Sequence, residues 1–256
     1  MIDCLAHLDD PRVDEVDALL ERAGAAGLTA IINGSVDPSV ETSGESWENV
    51  SYPRIYRAFG VHPVAVGRLA LLEQLSQLEQ ALVEEEAVAI GEIGLDGREG
   101  FPALGLQQTF LEAQLELARS LELPVILHCV QATPLLITLL KRCGLPRSGG
   151  MVHGFTGSKE TALEFLRLGL HISFGGMVTR PGAKRCRAAA AVVPADRLLL
   201  ESDCPDHPPL GGSGQGSEPA EISITLQELA RLRGESAEGL AGITEVNARS
   251  LFRILP

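Results

Sequence analysis

The sequence has no apolar run that could cross a membrane and no basic segment at its start. No stretch approaches the roughly 18 consecutive apolar residues that a membrane-spanning helix needs. The first ten residues, MIDCLAHLDD, contain three acidic residues and no lysine or arginine. A secretory signal begins with a positively charged segment, so we expect neither a secreted protein nor a membrane protein.

Cysteine is scarce, and its spacing suggests no pairing. The five cysteines are odd in number and form no CxxC pair. This usage is typical of reduced thiols in the cytoplasm and not of a disulfide framework. We therefore expect a cytoplasmic protein. The cysteines are Cys4, Cys129, Cys143, Cys186 and Cys204.

Lysine and arginine are also few relative to the acidic residues. The chain has 21 lysines and arginines against 34 acidic residues, which gives a net charge of −13. Binding to nucleic acid usually depends on a basic surface, so a nuclease function would have to rest on a local site and not on the overall charge. The 45% of hydrophobic residues allow a sizeable core, and the low share of charged residues argues against disorder.

Eight short apolar segments alternate with longer amphipathic ones. Strands alternating with helices predict a parallel sheet with helical crossovers. Eight such units predict one closed (β/α)8 TIM barrel, an α/β fold, as a single domain over residues 1–256. A doubly wound open sheet is the alternative. The predicted strands are Met1–Ala6, Leu28–Gly34, Ile55–Val61, Ala87–Ile93, Pro124–His128, Gly150–His153, Leu170–Phe174 and Arg197–Ser202.

Helical periodicity fills the spaces between these strands. One stripe spaced at i, i+3, i+7 and i+10 begins at Val13, and a longer one precedes the helix end at 120–124. A glycine- and serine-rich stretch over 210–218 predicts a flexible loop that could act as a lid. Residues 222–255 should supply the eighth helix and a terminal helical cap. The two stripes are Val13, Val16, Leu20 and Ala23, and Leu106, Phe110, Ala113 and Leu117.

Histidine and acidic residues follow six of the predicted strands. Barrel enzymes build their active sites at the carboxyl ends of their strands. One histidine there is more often structural than a ligand, but four histidines and two acids favour a metal site. Imidazole with carboxylate suits zinc or manganese, and carboxylate with water suits magnesium. The residues are His7, His62, Glu92, His128, His153 and Asp203.

Several short motifs occur in a fixed order along nearly the whole chain. They are DCLAHL at 3–8, GVHP at 60–63, GEIGLD at 91–96, QQTFLEAQL at 107–115, LPVILH at 123–128, HGFTG at 153–157, ESDCP at 201–205 and NARSLF at 247–252. Each fragment alone is weakly specific, but their order and spacing resemble the TatD family of metal-dependent hydrolases. The resemblance implies a TIM barrel, one or two divalent ions (magnesium, manganese or zinc) and hydrolysis of DNA phosphodiesters, often from an end.

The resemblance also implies roles for individual residues. Glu92 matches a carboxylate that bridges two ions. His128 and His153 match the imidazole ligands of one ion, whereas His7 and Asp203 match ligands of the other. Asp203 is also the candidate general base for the attacking water, and we take Asp203 and Glu92 as the catalytic residues.

Further residues are candidates for substrate binding or support. His62 resembles a histidine near the substrate phosphate, and Arg180 is a second substrate-binding candidate. Glu201 should lie deeper than Asp203 on the same face of its strand, where it would support the ligands without binding the ion. Other cations that could hold phosphate, unless they form a solvated helix face, are Arg98, Lys184 and Arg185.

The chain departs from the family at the first strand. The family has a His-x-His pair there, and this chain has Leu5 in the first place. Leucine cannot bind a metal. Cys4 points to the opposite face of the strand and could replace it only through a bulge. Only His7, Glu92 and Asp203 remain as ligands of this metal position. We therefore expect a metal ion to bind more tightly at the other position, which is formed by Glu92, His128 and His153.

The candidate phosphate ligands are also depleted. Val130 stands where many relatives have a basic residue, and the loop before Glu218 has glycine, serine and glutamine in place of basic residues. These losses weaken the DNA assignment more than the hydrolase assignment. We expect a deoxyribonuclease or phosphodiesterase that is a monomer or weak oligomer. The alternatives are a hydrolase of a small non-nucleic-acid substrate and a barrel that binds a partner without catalysis. A carbamylated lysine bridge is excluded because Glu92 ends the fourth strand.

Overall fold

The computed structural model describes residues 1–38, 53–214 and 216–255. Eight parallel strands form one sheet in which each strand pairs with the next along the chain. This order confirms the TIM barrel, and the doubly wound alternative is wrong because such a sheet reverses its strand order. The strands are β1 (Ile2–Ala6), β2 (Ala30–Gly34), β3 (Arg54–Phe59), β4 (Ala89–Asp96), β5 (Val125–Val130), β6 (Gly150–Val152), β7 (His171–Phe174) and β8 (Leu198–Leu200).

The chain that follows β8 closes the barrel against β1. The amide of Asp203 donates to the carbonyl of Leu5 at 3.0 Å, and the amide of His7 donates to the carbonyl of Cys204 at 2.8 Å. A side-chain bond adds to this closure, because the amide of Ser202 donates to Oδ1 of Asp3 at 2.8 Å. The closure sets His7 and Asp203 side by side.

Helices surround the barrel. The helix predicted from Val13 begins three residues later, at Val16, because residues 8–12 form turns and residues 13–15 are irregular. The other stripe lies within α3, and both predicted C-terminal helices are present. The helices are α1 (Val16–Ala25), α2 (Leu71–Glu84), α3 (Leu104–Ser120), α4 (Thr133–Cys143), α5 (Lys159–Arg167), α6 (Lys184–Ala190), α7 (Ile222–Arg233) and α8 (Ala237–Phe252).

Alternation along the strands divides the core in two. Ile31 packs outward against Leu19 and Leu20 of α1. Leu5 instead shares a cluster with Ile32, Ile126, Met151 and Leu199, which come from other strands and therefore meet inside the barrel. Each fully buried aliphatic side chain contributes roughly 1.5–3 kcal/mol. This apolar layer forms the floor beneath the polar residues at the carboxyl ends of the strands.

Two features of the loops and helices bear on the remaining predictions. The described part of 210–218 contains neither helix nor strand, so the loop prediction agrees with the structure, and a role as a lid stays a prediction. Across the described residues, no helix combines the length and apolar character that a bilayer crossing needs.

Candidate metal centre

Imidazole and carboxylate side chains from six strand ends meet at the mouth of the barrel. They line a cavity of about 340 Å³, which we call the barrel cavity. This volume lies at the lower end of the roughly 300–1,000 Å³ found for ligand sites. All six residues predicted from the strand ends are present: His7, His62, Glu92, His128, His153 and Asp203.

Glu92 lies at the centre of this group. Its Oε1 atom is 2.8 Å from Nε2 of His7, and its Oε2 atom is 2.6 Å from Nε2 of His153 and 3.3 Å from Nδ1 of His128. Burial raises the pKa of Glu92, but the three imidazoles outweigh burial and hold the pKa well below its usual value. Glu92 is therefore a carboxylate with a different partner at each oxygen, as a bridging ligand requires.

His128 is oriented by a carboxylate that lies behind it. Its Nε2 atom is 2.9 Å from Oδ2 of Asp96. Burial raises the pKa of Asp96, but hydrogen bonds from His128 and Arg98 outweigh it and hold the pKa well below its usual value. An ionised carboxylate only accepts hydrogen bonds, so Nε2 of His128 carries the proton. Because Nε2 is engaged by Asp96, Nδ1 is the ring atom that faces Glu92 and His153 and that could bind an ion, as in carboxylate–histidine pairs at metal sites.

The donor set on β4, β5 and β6 fits a cation. We call Glu92, His128 and His153 the β4–β6 half. Their facing atoms lie 2.6, 3.1 and 3.3 Å apart, and two ligands at 2.0–2.1 Å from a tetrahedral ion are about 3.3 Å apart. Burial lowers the pKa of His153, but Glu92, Glu201 and Asp203 raise it to about 10. This negative environment favours positive charge at the centre.

The second half of the centre comes from β1 and β8. We call His7, Glu92 and Asp203 the β1–β8 half, and one ligand atom from each lies within 4.8 Å of the others. Nδ1 of His7 donates to the carbonyl of Gly34 at 2.8 Å, which leaves Nε2 to face the centre. The Nε2 atom is 3.7 Å from Oδ1 of Asp203, so this half is wider than the β4–β6 half. Asp203 has a φ of 54°, a left-handed conformation that aspartate tolerates better than most residues.

Leu5 lies inside the barrel below the β1–β8 half. It is fully buried, and a Cβ atom added to Gly34 would come within 2.6 Å of Leu5 Cδ1 and 3.5 Å of His7 Cε1. Leu5 and His7 thus pack against the same glycine. At the position where the family resemblance implies an imidazole, the chain thus has an apolar side chain that packs close to His7 in the floor of the cavity.

A bulge in β1 was not expected from the sequence. Asp3 pairs with Ile31, and Ala6 pairs with Asn33, so β1 has one more residue than β2 over this interval. Cys4 nevertheless joins neither of the ligand clusters found among the described residues. Burial raises the pKa of the Cys4 thiol well above its usual value, which disfavours the thiolate that a metal would need.

His62 faces the centre as a hydrogen-bond donor. Its Nε2 atom is 4.0 Å from Oε2 of Glu92, and it clusters with Glu92 and His128. However, the amide of Val64 donates to Nδ1 of His62 at 3.1 Å, and burial lowers the pKa of His62 to about 3. A neutral His62 whose Nδ1 accepts must carry its proton on Nε2. The tautomer therefore favours His153 over His62 as a metal ligand.

Two arginines reach the barrel cavity, and both are paired. Arg98 binds Asp96, with Nη2 at 2.6 Å from Oδ2, and its guanidinium lies 4.7 Å from the ring centre of Phe101. Arg12 binds Asp10 at 2.7 Å and Asp206 at 2.9 Å. The roles of Asp96 and Arg12 were missed in the sequence, although the spacing of Asp96 and Arg98 by two residues is a signal for such a pair.

The structure does not bring the other predicted cations to the barrel cavity. The guanidinium of Arg180 donates to the carbonyl of Pro208 at 3.0 Å, and Arg180 is not among the residues that line the cavity. Lys184 and Arg185 are exposed at the start of α6 and do not line it either. Of the predicted phosphate-binding cations, only Arg98 lies at the site.

Glu201 lies behind His153, as strand alternation predicts. It is fully buried, its Oε1 accepts from the amide of Gly154, and this oxygen is 3.9 Å from Nδ1 of His153. Burial raises the pKa of Glu201 to about 7. Glu201 thus lies on the side of His153 that faces away from Glu92, and its carboxyl group can be ionised or neutral there.

Two glutamines of α3 fix the strand ends that carry the site. Gln107 and Gln114 are seven residues apart on one buried face of the helix. The Gln107 amide accepts from the amide of Asp96 at 2.7 Å and donates to its carbonyl at 2.9 Å. Gln114 makes the same pair of bonds with Val61, at 2.7 and 3.2 Å. The QQTFLEAQL motif therefore holds the chain beside His62 and behind His128.

Comparisons with known proteins identify the family to which the chain belongs. The sequence pattern of the family described as TatD related DNase matches residues 2–253. The chain is 35% identical over 256 residues to the uncharacterized metal-dependent hydrolase YabD of Bacillus subtilis, with 99% of each chain covered. It is 36% identical over 244 residues to the 3'-5' ssDNA/RNA exonuclease TatD of a Rahnella species, with 92% of this chain and 91% of that protein covered.

A solved structure shows the same fold. The crystal structure of YjjV, a TatD homologue from Escherichia coli, superposes with a TM-score of 0.88 at 36% sequence identity and covers 100% of this chain and 98% of that one. Relatives that are this similar over their whole lengths share a family. The chain belongs to the TatD-related DNase family, and it is a metal-dependent hydrolase.

Proposed function

We propose that the protein hydrolyses phosphodiester bonds, with the ends of DNA strands as its substrate class. The observation that carries this proposal is that Glu92 is shared by two ligand sets, one with His128 and His153 and one with His7 and Asp203, beside a neutral histidine that donates into the same cavity. Paired metal positions are typical of enzymes that cleave phosphodiesters. The similarity to a protein named as a 3'-5' exonuclease supports the same class.

The residues of the site would have separate roles in metal binding and in substrate binding. Glu92, His128 and His153 would hold one divalent ion (magnesium, manganese or zinc), and His7, Glu92 and Asp203 would hold a second. A bound ion would lower the pKa of the attacking water and neutralise charge on the phosphate oxygens. His62 would donate its Nε2 proton to a phosphate oxygen, because it is neutral and its other nitrogen is already occupied.

Asp203 is the proposed general base. In the metal-free protein, burial raises the pKa of Asp203 above its usual value, and His153 offsets only part of this rise. Its carboxylate lies in the cavity beside the other ligands, where it could accept a proton from the attacking water. It takes a proton from water as the water oxygen bonds to phosphorus. The P–O ester bond breaks, and the leaving oxygen takes up a proton from solvent water, to which Asp203 in turn loses its own.

A cleavage assay tests the proposal. End-labelled single-stranded DNA should be shortened in the presence of magnesium, manganese or zinc and not after chelation. Glu92→Gln should reduce cleavage to background, since Glu92 contributes to both ligand sets. Glu99→Gln, which neutralises an exposed carboxylate nearby, should retain activity. If the wild-type protein cleaves no DNA or other phosphodiester with any of these ions, the proposal is wrong.

A hydrolase for a small non-nucleic-acid substrate is the second candidate. The pairing of Arg12 and Arg98 with carboxylates favours it, because no unpaired arginine lines the cavity among the described residues. Activity on small esters together with inactivity on every phosphodiester would select this candidate. The third alternative was a barrel that binds a partner without catalysis. It is not favoured, because the chain belongs to a family of metal-dependent hydrolases.

A further inference from the structure

The barrel cavity has two chemically different walls. The strand order places β8 beside β1, with β2 to β5 on the other side. The residues that follow β8 and β1 form a charged wall of Asp10, Arg12, Asp206 and His207. The residues at the ends of β2 to β5 form a mainly apolar wall of Val36, Val64, Phe101 and Val130, whose one cation, Arg98, is paired with Asp96.

The charged wall carries no spare positive charge. Arg12 is bound by both Asp10 and Asp206, so this group has one cation for two carboxylates. Beyond Asp10, the wall continues into a groove of about 750 Å³ that is lined by further acids, including Asp14 and Asp17. A second phosphate on this side would therefore meet net negative charge.

The apolar wall suits an uncharged, planar group. Val36 and Val64 are 37% and 39% exposed and line the mouth of the cavity. Phe101 lies beside them with the Arg98 guanidinium over one face of its ring, 4.7 Å from the ring centre, and His62 packs against it edge-on with 6.4 Å between ring centres. Bases stack on aromatic side chains without needing a specific hydrogen-bond pattern. Val130 adds apolar surface at a place where a cation would have favoured another phosphate.

We infer that the site takes small phosphoesters in which one phosphate reaches the metal centre and one planar, uncharged group packs on the apolar wall. A terminal nucleotide or an aryl ester has this form. Further phosphates of a long strand gain nothing from the charged wall. This inference rests on the proposed function and narrows its substrate to short chains and chain ends.

Substrate length and salt test the inference directly. We would measure kcat/KM for the p-nitrophenyl ester of thymidine 5'-phosphate, a dinucleotide and a single strand of about sixteen residues, at low and moderate salt. The value for the long strand should stay within about threefold of that for the dinucleotide. Each phosphate contact contributes a slope of about −0.7 in log K against log salt for single strands, so the slope should be no steeper than about −1.

Two charge variants locate the cause. Asp206→Asn removes one carboxylate from the charged wall, whereas Asp196→Asn removes an exposed carboxylate just before β8, at the opposite end of the barrel. At low salt, Asp206→Asn should raise the ratio of long-strand to dinucleotide kcat/KM by roughly two- to fivefold, the scale of one exposed charge interaction. Asp196→Asn should leave both the ratio and the activity unchanged.

The possible results separate this inference from the proposed function. A tenfold or larger rise in kcat/KM with strand length, together with a steep salt slope, would overturn the inference and leave the proposed function standing. The same ratio in Asp206→Asn as in the wild-type protein would also overturn it. No cleavage of the ester, the dinucleotide or the strand with any of the three ions would overturn the proposed function itself.

Discussion

The two halves of the metal centre share Glu92 but differ in how their other ligands are held. In the β4–β6 half, His128 is oriented by Asp96, which is in turn held by Arg98 and by the amide of Gln107. The facing ligand atoms lie 2.6–3.3 Å apart. In the β1–β8 half, His7 has one carbonyl partner, its distance to Asp203 is 3.7 Å, and Leu5 stands beside it.

The difference shows that the number of ligands does not by itself describe a site. Each half has three donors, yet only one is close-packed and supported by a chain of charged hydrogen bonds. Such supporting partners typically change metal affinity by about 10–100-fold. We therefore expect an ion to bind the β4–β6 half first and the β1–β8 half more weakly.

Asp203→Asn should have the largest effect of the variants that separate the halves. It removes the proposed general base and a ligand of the weaker half, while the β4–β6 half keeps all its donors. General-base assistance alone is worth about 10²–10⁴-fold, so single-turnover cleavage should fall at least that far, with less effect on DNA binding. Melting temperature provides the control for folding. Full specific activity in folded Asp203→Asn protein would exclude Asp203 as the base.

The pH dependence of metal affinity should be nearly as large. The carboxylates outweigh burial and raise the pKa of His7 to about 9 and that of His153 to about 10. Both imidazoles thus carry protons at pH 7 in metal-free protein, and a metal must displace them. Affinity should rise up to about tenfold per pH unit for each proton released. Calorimetry in buffers of different ionisation enthalpy would measure the released protons, and none at pH 7 would contradict this account.

The same shifts have a consequence for metal-free stability. Because both pKa values are raised above the usual value of about 6.5, protonated His7 and His153 stabilise the folded state fully below that pH. This contribution should be lost as the pH rises through about 9 and 10. Urea unfolding of chelator-treated protein would measure the free energy of unfolding at pH 6 and pH 10. If that free energy falls by the same amount in a His153→Gln variant as in the wild-type protein, the expectation is contradicted.

Arg98→Met tests the support of the β4–β6 half. The substitution keeps the apolar stem over Phe101 but removes the charge that holds Asp96, so His128 should lose its fixed orientation. Metal affinity should fall by about 10–100-fold, and Arg98→Lys should restore part of it. Circular dichroism would confirm the fold. Equal metal affinity in the wild-type protein and Arg98→Met would show that Asp96 orients His128 without Arg98.

The barrel and the ligand positions could be predicted from the sequence because both follow from short-range rules. Alternating apolar segments predict the strands, and ligands at strand ends must meet at one face of a barrel. The orientation of His128 by Asp96 and the tautomer of His62 could not be predicted in this way. They depend on which nitrogen of an imidazole is already bonded, and the bonding partners come from another strand and from the turn after β3.

Two further features depend on contacts between distant segments. The bulge in β1 arises from its pairing with β2, which no local pattern in residues 2–6 reveals. Arg180 was expected near the substrate, but the chain after β8 folds back and offers the carbonyl of Pro208 to its guanidinium. Pairing between distant segments decided each of these features, whereas periodicity and strand-end position report only local structure.

Anomalous scattering from crystals grown with manganese or zinc tests the central claim most directly. In the wild-type protein, the strongest peak should lie among Glu92, His128 and His153, with ligand atoms within about 2.0–2.2 Å. Leu5→His should add or strengthen a second peak beside His7 and Asp203, whereas Leu5→Ile, which adds no ligand, should not. A strongest peak between His7 and Asp203 in the wild-type protein, with His128 and His153 turned away from it, would contradict the account.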